Sequence, residues 1–268
     1  MTTGGGFQEQ SAKPRVNSVD TSLRMSIHPK KRGYMRLRSW LAILVMLLGS
    51  VSSLSQTPAQ KVAEKEPELR KELERMVKED QDIRGEFDRW RKTNGLMVNN
   101  KIYNEKMNSD PALKAAGLDI TGRMIRGDHG RTLRLKEIVA RYGWPGKSLV
   151  GIEGRSAAYL LIAHAVKDPA TGAPDVEFQR FCVDLMSKLA TGEVEGVQLA
   201  SLTDRVLLYE GKKQVYGMML TRNEKNEKVP QPIEDEAHVD ERRKKIGLES
   251  LDEYLRKEGA VRGTPAKP

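Results

Sequence analysis

The sequence predicts a mainly α-helical protein: a single helical domain with one small β-hairpin, preceded by an N-terminal signal or anchor segment. Three observations predict it. Apolar residues recur at spacings of three and four over most of the chain after residue 67, the period of helices with one buried face. Helix start and stop residues punctuate those stripes. The period drops to two only around Gln214–Val229.

The first helix is expected from about Pro67 to Lys92, stopping at Asn94-Gly95. Its inward positions are Leu69, Leu73, Met76, Asp80, Ile83, Phe87 and Trp90, so Asp80 occupies an apolar slot. Arg84, one turn on, is placed to pair with it. Residues 95–127 are rich in Asn and Gly and read as less regular, with one short helix after Asp110-Pro111. A second clear helix is expected from Asp128 as N-cap, turning Leu135, Ile138, Val139 and Tyr142 inward, to Gly143. A third, from about Gly154 to Val166, is apolar nearly all round and reads as buried, with His164 the ionisable residue of its second half.

A Pro/Gly loop over 168–174 precedes a helix of about 175–190 whose stripe is Phe178, Phe181, Cys182, Leu185 and Leu189. The next helix, about 196–210, turns Leu199, Leu202, Val206 and Tyr209 inward. Gln214–Leu220 and Lys228-Val229 flank a polar loop and read as the hairpin, closed by Pro230 and Pro232. Two short helices, about 236–246 and 250–257, complete a domain of residues 67–258, and residues 259–268 read as a disordered tail.

The net charge of +9 invites a nucleic-acid reading until it is located along the chain. Residues 1–38 hold eight basic side chains against Glu9 and Asp20, leaving only +3 for everything beyond. Such a mixed surface lacks the concentrated basic face that phosphate backbones require, so nucleic acid is excluded as partner. The order is instead that of an export signal: a basic stretch (1–39), an uncharged apolar segment (40–55) opening with Trp40–Gly49, then small residues Ser50, Ser52, Ser53 and Ser55. The apolar run is shorter than the roughly 20 residues that span a bilayer comfortably, which favours cleavage after Ser55 over an uncleaved anchor. Translation from Met35 would make a compact signal; Met1 and Met25 are the other starts. Residues 56–66 form a polar linker. The expected location is beyond the cytoplasmic membrane, periplasmic or extracellular, or anchored to it by residues 40–55, with no other membrane contact.

Familiar catalytic motifs are missing. Gly146-Lys147-Ser148 resembles the end of a phosphate loop, but Arg141 stands where its first glycine belongs and a helix precedes it. Arg126-Gly127-Asp128 reads as a chance match. The four histidines, at 28, 129, 164 and 238, lie at no metal-ligand spacing, so neither metal nor cofactor is expected. Cys182 is the sole cysteine, which leaves no disulfide partner within the chain and suits a small buried residue.

The series Tyr142-Gly143-Trp144-Pro145, Leu160–Ala165, Leu202-Thr203-Asp204-Arg205, Gln214-Val215-Tyr216-Gly217 and Pro232-Ile233-Glu234-Asp235, followed by Val239–Arg243 and Gly247-Leu248, resembles the bacterial domain of unknown function numbered 6624. The likeness covers about residues 68–256. The family implies no activity. Its pattern flanks the histidine with Gln and Asp, where this chain has Ala163 and Val166, and follows Tyr-Gly with Thr-Gln, where this chain has Met218-Met219.

Asp80, His164 and Asp204 interrupt or adjoin apolar stripes. With Arg84 and the polar residues of the motifs above they give the candidates: His164 and Asp204 as catalytic residues, and Asp80, Arg84, Arg205, Gln214, Tyr216, Asp235 and Arg243 as binding residues. Each also has a structural explanation. Asp204-Arg205 suits a structural ion pair, Gln214 and Tyr216 one face of a strand, and Glu234-Asp235 helix capping. Two functions fit: a non-catalytic extracytoplasmic binding or interaction module, or a hydrolase with His164 as base, Asp204 orienting it, and Arg205 and Tyr216 holding substrate. Convergence of these side chains in one pocket separates the two.

Overall fold

The computed structural model describes residues 65–98 and 100–263. The expected signal segment (1–55) and most of the linker lie outside them; within them, no helix is long and apolar enough to cross a membrane. Eight helices and two small two-stranded antiparallel sheets make up the described residues, which fits the predicted class.

Helix α1 (Pro67–Thr93) opens with proline at its first position, where the missing N–H costs nothing. Leu69, Leu73 and Met76 are buried as the spacing requires. Beyond Asp80 the stripe is only half-buried. There α1 leaves the main core, and Phe87 and Trp90 stack with ring centroids 5.7 Å apart.

The largest departure from expectation lies in residues 95–142. They form α2 (Asn100–Ser109) and one continuous 32-residue helix, α3 (Pro111–Tyr142). The start signal is Asp110-Pro111: the Asp110 side chain accepts the N–H of Leu113 at 2.9 Å and Pro111 supplies the first turn. Asp128 is therefore a buried mid-helix residue, not an N-cap. Glycine inside a helix costs about 1 kcal/mol against alanine. Gly117 offsets it by letting α1 come close, since a Cβ there would lie 2.7 Å from the Trp90 ring and 2.9 Å from the end of Met107.

Helix α4 (Lys147–Ala163) starts earlier than expected and is broken at Gly151, where φ is +74°. Its first turn is closed by Glu193, whose backbone carbonyl accepts from Lys147 N–H and whose carboxylate accepts from Ser148 N–H at 2.9 Å. The phosphate-loop lookalike is thus the helix start that Glu193 fills. Helix α4 ends at Ala163, one residue short of His164. The expected loop at 168–174 contains a second hairpin, β1 (Val166–Asp168) with β2 (Ala173–Pro174).

Helices α5 (Val176–Met186) and α6 (Gly196–Tyr209) follow, α5 capped by Asp175. Cys182 is fully buried; Phe181, at 52% exposed, and Leu189 and Tyr209 are not. Helix α5 ends before Leu189, and only one face of each short helix meets the core. That main core joins α1, α3, α4, α5 and α6 around Leu73, Leu135, Ile138, Ile162, Met186 and Leu202.

The predicted hairpin exists but is shorter: β3 (Leu220–Arg222) pairs with β4 (Lys228–Pro230). Gln214–Met219 is a loop rather than a strand, apart from one parallel bridge between Gln214 and Ile233. A 3-10 turn (Glu236–His238), α7 (Val239–Lys245) and α8 (Leu251–Lys257) complete a second core of Ile233, Val239, Leu251, Leu255 and Ala260. Ala260 lies in the stretch expected as tail. It is buried there, and the next N–H, of Val261, bonds Lys228 O at 2.9 Å.

Candidate functional site

The candidate residues divide into two groups. The first surrounds Asp80. Because the α1 period points it inward, its side chain is 0% exposed, and burial pushes its carboxyl upward. The hydrogen bond and charge of His164, with Arg84 and Gln81, outweigh that and bring it down to about 2. The contacts are His164 Nδ1 at 3.1 and 3.2 Å from its two oxygens, Gln81 Nε2 at 2.7 Å, Arg84 Nη2 at 3.4 Å and Arg131 Nη2 at 3.5 Å. The Asp80–Arg84 pairing expected from the spacing is present.

The same two guanidiniums grip a second buried carboxylate, Asp128, at 2.9 Å (Arg84) and 2.6 Å (Arg131). Burial pushes the Asp128 carboxyl up, and both arginines oppose it. Thr132 joins in by donating to Asp128 O at 2.7 Å and accepting the N–H of Val166 at 2.9 Å. His129 Nδ1 lies 3.1 Å from Val166 O. Two carboxylates and two arginines thus form one buried network joining α1, α3 and the end of α4. Breaking one member of such a network is costly because it strands the others without partners.

Sequence reasoning missed Asp128, Arg131 and Thr132. A signal was available: Asp128, Thr132, Leu135 and Val139 share one helical face, so Asp128 interrupts a stripe as Asp80 does. Treating 95–127 as irregular cut that stripe off.

The second group surrounds Asp204, also 0% exposed. Its Oδ1 accepts the N–H of Val215 at 2.8 Å and of Tyr216 at 3.0 Å, and its Oδ2 that of Met218 at 2.8 Å. Burial raises the Asp204 carboxyl, against these three donors and the charge of Arg243. Gln214 ties the same loop shut: Nε2 donates to Met219 O at 3.0 Å and Gln231 O at 2.7 Å, and Oε1 accepts Met219 N–H at 2.8 Å. Arg243, 1% exposed, donates to Tyr216 O at 2.6 Å and Glu249 O at 2.7 Å, with Tyr254 5.0 Å below its guanidinium. Arg242, not singled out in the sequence, donates to Val215 O at 2.8 Å and to the carbonyls of Glu234 and Asp235. Gly217 turns the loop at φ +75° against Leu251 and Ile233. The physical reason is common to all of them. A loop with no ladder partners must have its buried backbone groups satisfied by side chains.

Several expectations are thereby corrected. Asp204 forms no ion pair with its neighbour and does not orient His164; Asp80 does. Gln214 and Tyr216 do not alternate on a strand face. The Tyr216 hydroxyl is raised by burial and by Asp204, while its backbone serves the loop. Asp235, at φ +45°, stands at the N-cap of the 3-10 turn, but its side chain makes no capping bond: its carboxylate takes His238 Nδ1 at 2.9 Å and lies 3.5 Å from Arg242.

Arg205 links the two groups. It points away from Asp204 and donates through Nη1 to Ala163 O at 2.7 Å, satisfying a terminal carbonyl of α4 beside His164.

Surface cavities among the described residues include two. One of about 330 Å³ is lined by Lys136, Lys167, Asp175, Glu177, Phe178 and Phe181. The other, of about 220 Å³, includes Lys213, Gln231, Ile233 and Glu236. Neither is lined by His164 or Asp204. Among the described residues, no group of three or more His, Cys, Asp or Glu side chains is placed to hold a metal ion. Burial raises the Cys182 thiol, which keeps it a poor nucleophile.

No curated protein and no solved structure matches the chain. The family described as a family of unknown function, DUF6624, matches over residues 67–265, and this chain belongs to that family.

Proposed function

We propose that this protein is a non-catalytic binding or interaction domain that works beyond the cytoplasmic membrane. One observation carries the non-catalytic part. The side chains a hydrolase would need are held apart by other duties: both Asp204 oxygens are taken by backbone N–H groups, and the Nδ1 of His164 is engaged by Asp80 inside an arginine network. An enzyme keeps its base, orienting group and substrate-holding groups around one reacting atom. Here Asp204, Gln214 and Arg243 serve the backbone. The extracytoplasmic part rests on the basic, apolar and small-residue order of residues 36–55.

The test has two readouts on the full chain carrying a C-terminal tag in a bacterial host. Cell fractionation with N-terminal sequencing should find the protein outside the cytoplasm; an intact N-terminus in the cytoplasmic fraction refutes the location. A thermal-shift screen against small polar metabolites should find a stabilising ligand that mass spectrometry recovers unchanged. Recovery of a reaction product refutes the non-catalytic reading.

A further inference from the structure

His164, at the end of α4, and Arg205, on α6, are each anchored on one side and unengaged on the other, and Arg205 is anchored on the residue before His164. His164 is the C-cap of α4, and its side chain is 27% exposed. Asp80, paired with Arg84 and Arg131, is a carboxylate acceptor, so the ring nitrogen facing it carries the hydrogen. In the neutral ring that leaves Nε2 with its lone pair, to which no described residue hydrogen-bonds. Arg205 spends Nη1 on the carbonyl of Ala163, the residue before His164, and is half-buried without a carboxylate partner among the described residues. Its neighbour Asp204 is committed to three N–H groups. The Nε–Nη2 edge of the guanidinium is therefore free, and that edge matches the two oxygens of a carboxylate.

Charge points the same way. Asp80 and Asp128 are matched by Arg84 and Arg131, so the buried network is balanced and the charge of Arg205 is left over at the α4 terminus.

We propose that the Ala163–His164 turn is the recognition point of a small carboxylate that carries a neighbouring hydrogen-bond donor, an α-hydroxy or α-amino acid. The carboxylate lies on the free edge of Arg205 and the hydroxyl or amino group donates to His164 Nε2. The inference rests on the binding-domain reading above and adds its ligand class and site.

Glycolate, glycine and acetate serve as probes, titrated against the full chain at pH 8 with calorimetry and with ¹⁵N shifts of the histidine rings as readouts. Saturable binding of glycolate or glycine should shift His164 Nε2, and acetate, which lacks the donor, should bind at least tenfold more weakly. Arg205→Gln should weaken binding about tenfold or more, as loss of a bidentate charge-assisted contact does. Because Arg205→Gln also touches the helix end, Arg205→Lys is the second variant: it keeps a cation on Ala163 O and loses the fork. It too should weaken binding, whereas Arg89→Gln, an exposed control, should not. Acetate binding as well as glycolate, or binding unchanged in Arg205→Lys, overturns the site while leaving a binding domain intact. Conversion of a bound probe, with binding still lost in Arg205→Lys, supports the site and overturns the non-catalytic reading instead.

Discussion

Replacing Asp204 by Asn isolates the brace from the rest of the protein, because the shape is kept and one acceptor is turned into a donor. With the Asn oxygen at the Oδ1 position, the N–H groups of Val215 and Tyr216 keep their partner. The amide NH2 then faces Met218 N–H, which now meets Oδ2 at 2.8 Å. A buried donor left without an acceptor costs about 1–3 kcal/mol, and the two retained bonds weaken because hydrogen bonds to a charged group are about twice as strong as neutral ones. Removing the charge relieves part of the burial cost that raises this carboxyl, so the net loss should be about 2–3 kcal/mol. For a domain of this size that corresponds to roughly 4–12 °C in Tm. A urea melt followed by circular dichroism measures it, and hydrogen exchange locates it: the amides of Val215, Tyr216 and Met218 should exchange faster, while those of α1 and α4 change only with global stability. A change below about 0.5 kcal/mol, or faster exchange confined to α4, would refute the reasoning.

Four further predictions follow from the same contacts. Asp80 is held at about 2 against an ordinary value of 3.8, which contributes about 2 kcal/mol at neutral pH. Because the folded value is the lower one, that stability is present above about pH 4 and is lost as pH falls towards 2; Asp80→Asn should flatten this limb in melts between pH 5 and 2.5, and an unchanged slope contradicts the assignment. Alanine at Asp80, at His164 or at Asp204 should destabilise the protein, His164→Ala by about 1–3 kcal/mol, since each strands a buried partner; two variants as stable as wild type would reverse the structural reading. Gly217→Ala should cost about 1–3 kcal/mol in a thermal melt, because φ is +75° and the added methyl would lie 2.7 Å from Leu251 Cδ1, and a neutral result would mean the loop is free to rearrange. Circular dichroism of the purified protein should be dominated by helix; a sheet-dominated spectrum would overturn the fold.

Much of the helical architecture was legible because burial imposes the 3.6-residue period, and five of the main-core elements announce themselves through it. Asp80 was legible for the same reason, as a charge in an apolar slot. What the sequence hid has two physical causes. Glycines at 117, 122 and 127 made the first half of one 32-residue helix look like a loop; at Gly117 close packing against Trp90, invisible locally, offsets the propensity cost. The Asp204 loop imitated a strand because Gln214, Tyr216 and Met218 alternate, yet it is held by Asp204, Arg243 and Tyr254, from 11 to 36 positions away, which no local period encodes. The pairing of candidates was misjudged likewise: Asp204 lies closer in sequence to His164 than Asp80 does, but Asp80 holds it.

The measurement that bears most directly on this account is the tautomer of His164, read from long-range ¹⁵N–¹H correlation spectra of the four histidines in three proteins. In the wild type at pH 8, His164 should carry its hydrogen on Nδ1, held by Asp80. The Asp204→Asn variant should leave that signal in place, and Asp80→Asn should move it, because among the described residues Asp80 is the hydrogen-bond partner of the ring. A His164 signal displaced by Asp204→Asn and untouched by Asp80→Asn would contradict the division into a bracing group and a recognition group.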